Sequence, residues 1–198
     1  MTEQDNRLKS YKNKRNFKET DEPKAKIGDE ENKIFSIHKH DATNLHYDLR
    51  ISCNSVLKSW AVPKGPSTDP SEKRLAIQTE DHPLEYIDFE GNIPEDEYGG
   101  GTVLLWEKGE YENTTTKDGD IVPLEKAIEE GHFTLNLKGE KLQGGYAMTR
   151  FDGDEDDENQ WLLVKMDDDE ADARRNPTST ENKSVKSGKT IEQIKEQS

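Results

Sequence analysis

From residue 33 onward, apolar and polar residues alternate over short stretches broken by Gly, Pro, Asn and Asp, as in short β-strands joined by turns. The pattern predicts strands over residues 34–40, 45–52, 57–61, 75–79, 101–107, 132–138, 144–150 and 160–165, with one helix over 123–130. About eight short strands and one or two short helices point to a mainly β protein, a closed or partly closed antiparallel β-barrel or a sandwich. Residues 1–32 read as an N-terminal arm, 33–170 as the β-barrel domain, and 171–198 as a disordered polar tail poor in large apolar residues.

Composition sharpens that division. The chain of 198 residues is 29% hydrophobic and 36% charged, because polar ends are averaged with a central region that holds runs such as Val103-Leu104-Leu105-Trp106. Cys53 is the single cysteine, which excludes an intrachain disulfide and a cysteine-based metal cluster. Met1 leads directly into charged sequence with no apolar leader or span, so a cytoplasmic monomer with no membrane contact is expected.

The net charge of −15 argues at first against nucleic acid, whose phosphates attract Lys and Arg. The charge is unevenly placed. Arg7, Lys9, Lys12, Lys14, Arg15 and Lys18 make the arm locally basic, with no acid among them, whereas residues 152–172 hold eleven acids and only Lys165. The acidic run reads as a solvated surface.

The chemistry concentrates in two adjacent strands. Alternation places Leu45, Tyr47, Leu49 and Ile51 on one face of the second strand and His46, Asp48 and Arg50 on the other. In the first strand Phe35 and Ile37 oppose His38 and His40, and a short connection brings His40 near His46. His40, His46 and Asp48 offer two imidazole nitrogens and a carboxylate oxygen to a divalent Mn, Zn or Fe ion, with positions left for water or a phosphate oxygen. The same residues also fit satisfied surface polars on a β face. Along 74–83, Leu75, Ile77 and Thr79 share one parity, and Arg74, Glu80 and His82 the other, which fits either a functional face or a salt-bridge ladder. The set suits phosphoryl transfer: a metal to polarise the ester, Arg50 and Arg74 to clamp phosphate oxygens, and His82, tuned by Glu80, to protonate a leaving oxygen. Lys64, in the rigid turn Val62-Pro63-Lys64-Gly65-Pro66, aims a cation at a phosphate or is an exposed loop lysine. Gly99-Gly100-Gly101 opens a strand rather than a helix, so a barrel corner or bulge fits better than a nucleotide-phosphate loop.

The segments Phe35 to Arg50, Trp60 to Pro66, Glu80-Asp81-His82-Pro83-Leu84-Glu85-Tyr86, Ile93 to Gly101 and Gln160 to Lys165 together resemble the 3′-phosphoesterase domain of bacterial DNA ligase D and its free-standing relatives. Tyr11 to Phe17 and Thr20-Asp21-Glu22-Pro23 resemble that family's entry motif, so the resemblance spans about residues 7–170. It implies a manganese-dependent β-barrel enzyme that removes a 3′-terminal ribonucleoside to leave a 3′-phosphate, then hydrolyses that phosphate to a 3′-hydroxyl. It implies DNA or DNA–RNA primer-template 3′ ends as partners, with a separate DNA ligase and polymerase. By match to the family motifs, His40, His46 and Asp48 are the metal ligands. Arg50, Lys64, Arg74, Glu80, His82 and Tyr86 are active-site residues, and Arg15 and Glu22 carry the arm across the site. Asn16 stands where the family usually has Asp, so that carboxylate's function is weakened or replaced; His38 stands where Gln is common. Two other readings remain: a non-haem iron oxygenase built on the His-x-Asp pattern, and an end-binding module impaired in catalysis.

Overall fold

The computed structural model describes residues 6–27, 32–151 and 159–197. The acidic loop at 152–158 lies outside the described residues. Eight strands close an antiparallel barrel: β1 (Ile34–Asp41), β2 (Leu45–Cys53), β3 (Val56–Val62), β4 (Lys73–Gln78), β6 (Gly101–Asn113), β9 (His132–Lys138), β10 (Gln143–Arg150) and β11 (Gln160–Lys165). Their order is β1-β2-β3-β4-β11-β10-β9-β6, and the β1–β6 pairing closes the ring. β6 makes closure possible by its length. Its first part pairs with β1, with a register shift between Ile37 and His38, and Glu110–Asn113 pair with β9. A bulge of this kind bends the strand and re-aims the side chains beyond it. β5 (Gly91–Ile93) adds to the edge of β6, and β7 (Thr116–Lys117) and β8 (Asp120–Ile121) form a separate small hairpin. These three short elements and the 3-10 turn Leu84–Asp88 are too brief to leave a periodic signal in the sequence.

Closure gives each strand an inner and an outer face. Phe35, Leu49, Trp60, Ala76, Trp106, Leu135, Tyr146 and Trp161, one from each barrel strand, belong to one buried cluster and fill the interior. Trp60, Phe133 and Trp161 pack with ring centroids 5.6–5.7 Å apart. The barrel is therefore a packed core rather than a channel. Helix α2 (Leu124–Glu130) lies against β9 through Leu124, Ala127 and Ile128 and ends at Gly131, whose φ of 85° supplies a left-handed cap.

A second apolar cluster forms on the outer face. Tyr11, Leu57, Tyr86, Ile87, Phe89, Ile93 and Val103 pack there with Phe17 and Leu84 at its margin. Tyr11 belongs to helix α1 (Lys9–Asn13) of the arm, so the arm is docked on the outer wall of the barrel.

Two expectations are corrected. In β4 the large apolar residues face outward: Leu75 and Ile77 are each 38% exposed, while Ala76 is fully buried. Ala76 lies opposite Trp161, which also donates from Nε1 to Gln78 Oε1 at 3.1 Å, and the indole fills the space a larger inward residue would need. The polar C-terminal segment, expected as a disordered tail, is packed where it is described. Helix α3 (Pro177–Thr180) and helix α4 (Ile191–Lys195) lie within it, and Ile191 and Ile194 are buried in the main core. Trp106 Nε1 donates to Glu181 O at 2.6 Å, Tyr47 Oη to Thr178 O at 3.1 Å and Val185 N to Leu105 O at 3.0 Å. Two isoleucines three residues apart and a capping box at Thr190 and Gln193 suffice to anchor a stretch whose average composition is polar. Among the described residues, no helix is long and apolar enough to cross a membrane.

Replacing Ile194 with Ala removes buried contacts that hold the C-terminal segment to the core. The expected cost is about 2–5 kcal/mol, read as a lower urea midpoint at unchanged slope. An unchanged midpoint would show that the segment contributes nothing to the stability of the barrel.

Candidate functional site

Register builds the site. His40 pairs directly with His46 across β1 and β2, and the next outward pair is His38 with Asp48. Asp48 in turn pairs with Ala61 of β3, and Arg50 with Ser59. The outward parity of three strands thus presents a polar row, and the apolar arm cluster roofs part of it. His40, His46 and Asp48 bring one candidate ligand atom each to within 4.8 Å of one another. His46 Nε2 lies 3.4 Å from Asp48 Oδ1, and His40 Nδ1 lies 3.7 Å from Asp48 Oδ2. His46 Nδ1 is 2.9 Å from Asn44 O, a contact that places the ring proton on Nδ1 and frees Nε2 to coordinate. His40 Nε2 is buried without a hydrogen-bond partner among the described residues. Two imidazoles and a carboxylate, converging with an orphaned buried nitrogen, fit a divalent transition metal.

The electrostatics keep the carboxylate ready. Burial alone would raise the pKa of Asp48, but the charge of Arg50, with the adjoining imidazoles of His40 and His46, outweighs it and holds the carboxyl well below its usual range. Arg50 donates from Nη2 to Asp48 at 3.2 Å and from Nη1 to Ser59 Oγ at 2.9 Å, and its guanidinium stacks 4.6 Å from the centroid of Tyr86. His38 is fully buried and packs edge-on to Tyr86 with centroids 5.7 Å apart. Burial, reinforced by the charge of Arg50, lowers its pKa to about 3. His38 is a neutral ring behind the cluster and not one of its three members.

His82 reaches the site by a different route from the one its spacing implies. β4 ends at Gln78, so the parity of Arg74 does not carry on to Glu80 and His82. Instead the backbone of His82 bridges Leu57, N to O at 3.0 Å and O from N at 2.8 Å, which brings the imidazole under the arm. Its Nδ1 is 2.9 Å from Glu80 O and 3.3 Å from Ser59 Oγ, while Nε2 is 3.3 Å from Arg15 Nη2. Burial first, then Arg50 and Arg15, hold its pKa well below the usual histidine value. The carboxylate of Glu80 does not tune it. That side chain pairs instead with Arg15 Nη1 and Lys14 Nζ, both at 3.1 Å.

The arm is tied down by a buried network centred on Glu22. Its carboxylate accepts from Arg15 Nε at 2.9 Å, Thr20 Oγ1 at 3.1 Å and Tyr86 Oη at 3.1 Å. Arg15 lies over the ring of Tyr11 at 3.8 Å, and Tyr11 Oη donates to Pro23 O at 2.7 Å. Burial raises the phenol of Tyr86 well above its ordinary pKa, so it stays protonated and can donate to Glu22.

A cleft of about 280 Å³ collects these groups. It is lined by Arg15, Glu22, His40, His46, Asp48, Arg50, Glu80, His82 and Tyr86, nine residues that the sequence places on four separate segments. Thr79, Tyr98 and Gly99 line it as well; Thr79 and Tyr98 carried no signal as site residues, and Gly99 was read as a barrel corner. Three expected members stand outside. Arg74 points with Ala76 and Gln78 and pairs with Glu72 at 2.5 Å at the end of the barrel. Lys64 is exposed on the turn after β3. Asn16 is exposed, and its Oδ1 accepts from Lys18 N at 3.3 Å. Asn16 is not among the residues that line the cleft.

The outer-wall cleft of the closed barrel thus brings together a His-His-carboxylate cluster and two buried guanidinium groups. Residues 38–150 match the family model described as the DNA Ligase D 3′-phosphoesterase domain. The chain belongs to that family. It is 42% identical over 170 residues to the multifunctional non-homologous end joining protein LigD of Pseudomonas aeruginosa, covering 83% of this chain and 19% of that protein. It is 40% identical over 162 residues to the multifunctional non-homologous end joining DNA repair protein LigD of Mycobacterium tuberculosis, covering 81% of this chain and 20% of that protein. The chain therefore spans about a fifth of the length of these relatives.

Glu22→Ala removes one of the two buried carboxylates that hold Arg15 and leaves its Nε and Tyr86 Oη without their acceptor, although Glu80 still pairs with Nη1. The expected cost to the docking of the arm is about 1–3 kcal/mol. Limited trypsinolysis should then cut at Lys18 or Lys24 far faster than in wild type. Equal cleavage rates would mean that the arm is not held by Glu22.

Proposed function

We propose that this chain is a 3′-end-healing phosphoesterase of DNA repair. It removes a 3′-terminal ribonucleoside from a DNA or DNA–RNA primer-template to leave a 3′-phosphate, and hydrolyses the phosphate to a 3′-hydroxyl. The observation that carries the reading is the convergence of His40, His46 and Asp48 with Arg50, Arg15 and His82 in one cleft. A bare metal site serves many reactions, but buried guanidinium groups beside it answer the charge of a phosphate.

His40, His46 and Asp48 would hold Mn²⁺, the metal that the family resemblance favours. When bound, it supplies a Lewis acid for the phosphorus–oxygen bond. Arg50 is held against the wall by Ser59 and Tyr86 and presents its charge to a non-bridging oxygen. Arg15 closes from the arm side. His82 Nε2 faces Arg15 rather than solvent. An arriving phosphate draws Arg15 toward itself and adds negative charge near the imidazole, which lets His82 carry a proton to the leaving oxygen. Tyr86, Glu22 and Glu80 act by positioning: Tyr86 backs Arg50 and His82, and the two carboxylates hold Arg15. Lys64 and Arg74, both on the β3–β4 side and off the cleft, are assigned to the nucleic-acid strand flanking the reacting end. The 3′-hydroxyl it makes is the end that a polymerase extends and a ligase seals.

Purified protein with Mn²⁺ is expected to convert a primer-template ending in a ribonucleotide, and one ending in a 3′-phosphate, to 3′-hydroxyl products. EDTA or His46→Ala should reduce the rate by at least about a hundredfold, the scale of losing a metal ligand's contribution. Wild type that leaves both ends intact with every divalent metal tried sinks the proposal. Deleting residues 1–23 removes Arg15 and Glu22 and should cost as much activity while circular dichroism still reports a folded barrel. Full activity after the deletion would reduce the arm to a tether.

A further inference from the structure

One wall of the cleft plays no part in the phosphate chemistry. Tyr98 lies on the turn between β5 and β6, lines the cleft with His40, His46 and Asp48, and belongs to neither apolar cluster. It is 48% exposed, while Tyr86 and Tyr11, the other tyrosines around the cleft, are buried. The turn holds it there. Glu97 N donates to Pro94 O and Gly100 N to Glu97 O, each at 3.0 Å. Gly99 takes a φ of 77°, a conformation that suits glycine, and a Cβ on Gly100 would meet Pro94 O at 2.6 Å. A Cβ on Gly99 would stand 4.0 Å from His40 Cε1, so the ring is one residue from a candidate metal ligand. From the arm, Lys14 Nζ lies 3.1 Å from Tyr98 Oη and 4.6 Å from the ring centroid, and the Arg15 guanidinium is 5.4 Å from that centroid.

A half-exposed ring, held by a glycine-dependent turn and steadied by two cations next to a phosphate site, suits one ligand chemistry in particular. Nucleobases stack on aromatic faces without regard to their sequence identity, and neighbouring cations answer the phosphates beside them. We propose that Tyr98 is the stacking platform for the base of the 3′-terminal nucleotide whose phosphoester enters the cleft. This rests on the 3′-end reading above and adds to it the part of the substrate that the enzyme grips besides phosphate. Because stacking tolerates every base, the platform separates a base-bearing end from a baseless one and makes little distinction among the four bases. The hydroxyl acts separately, through a bond to Lys14 that sets the tilt of the ring.

The test compares kcat/KM for removal of a terminal ribonucleoside with that for removal of an abasic ribose at the same position of the same Mn²⁺-supplied primer-template. Wild type should favour the base-bearing end by about tenfold, the scale of one base–aromatic stack. Tyr98→Ala should erase that preference mainly through KM, and Tyr98→Phe and Tyr98→Trp should retain it. A wild type without the preference, or Tyr98→Ala that keeps the wild-type ratio while both rates change together, overturns the platform. Loss of the preference in Tyr98→Phe as well would overturn it in favour of the hydroxyl. Wild type that processes neither end overturns the 3′-end reading instead.

Discussion

The cross-strand pairing of His40 with His46 is the constraint on which the rest of the site depends. Side chains alternate along a strand with a period of two, so a slip of one residue in β1 or β2 would send His40, His46, Asp48 and Arg50 to the opposite face. The barrel prevents that slip. Phe35, Ile37, Leu49 and Ile51 hold the inward positions of the same strands and are locked among residues of all eight barrel strands. Packing the interior thus fixes the chemistry of the exterior, although no residue of the interior cluster lines the cleft.

A polar row on an outer wall would ordinarily lie in water, where charges interact weakly. Here Tyr11, Tyr86, Ile87 and Phe89 cover its flank and leave Asp48, Arg50 and His82 almost fully buried. Burial has an electrostatic cost, and the structure offsets it by pairing: Arg50 with Asp48, Arg15 with Glu22 and Glu80, and Tyr86 with Glu22. The basic arm of an acidic protein is therefore consistent with its charge. Its arginine neutralises two carboxylates of the cleft, Glu22 and Glu80. In the cleft, Arg15 and Arg50 face the carboxylates of Glu22, Asp48 and Glu80, so its charges nearly balance although the whole chain carries −15.

Much of this was legible in the order of residues. The eight barrel strands, the helix over 123–130 and the faces of β1 and β2 follow from alternation and turn residues, and those faces offered His40, His46 and Asp48 as candidate metal ligands, a role that the family resemblance then favoured. What misled were residues whose local pattern conflicts with their tertiary neighbours. Leu75 and Ile77 read as core, yet Trp161 fills the interior beside Ala76 and leaves them on the surface. Arg74 shares the parity of Ala76, and so it points away from the cleft and pairs with Glu72. The C-terminal segment has too few apolar residues to announce itself, yet Ile191 and Ile194 reach the core.

The sequence by itself determined the mainly β architecture, the faces of β1 and β2 and which residue types were available for metal and phosphate, because period-two alternation is a local property that survives without knowledge of partners. Only the tertiary structure decided that the cleft lies outside the barrel, that His82 arrives through a bridge to Leu57 after β4 has ended, and that Arg15, Glu22 and Tyr86 form one network under the arm. It also decided that Tyr98 stands exposed at the rim of the cleft. Each of these depends on contacts between segments far apart in the chain, and their spacing in sequence contains no trace of them.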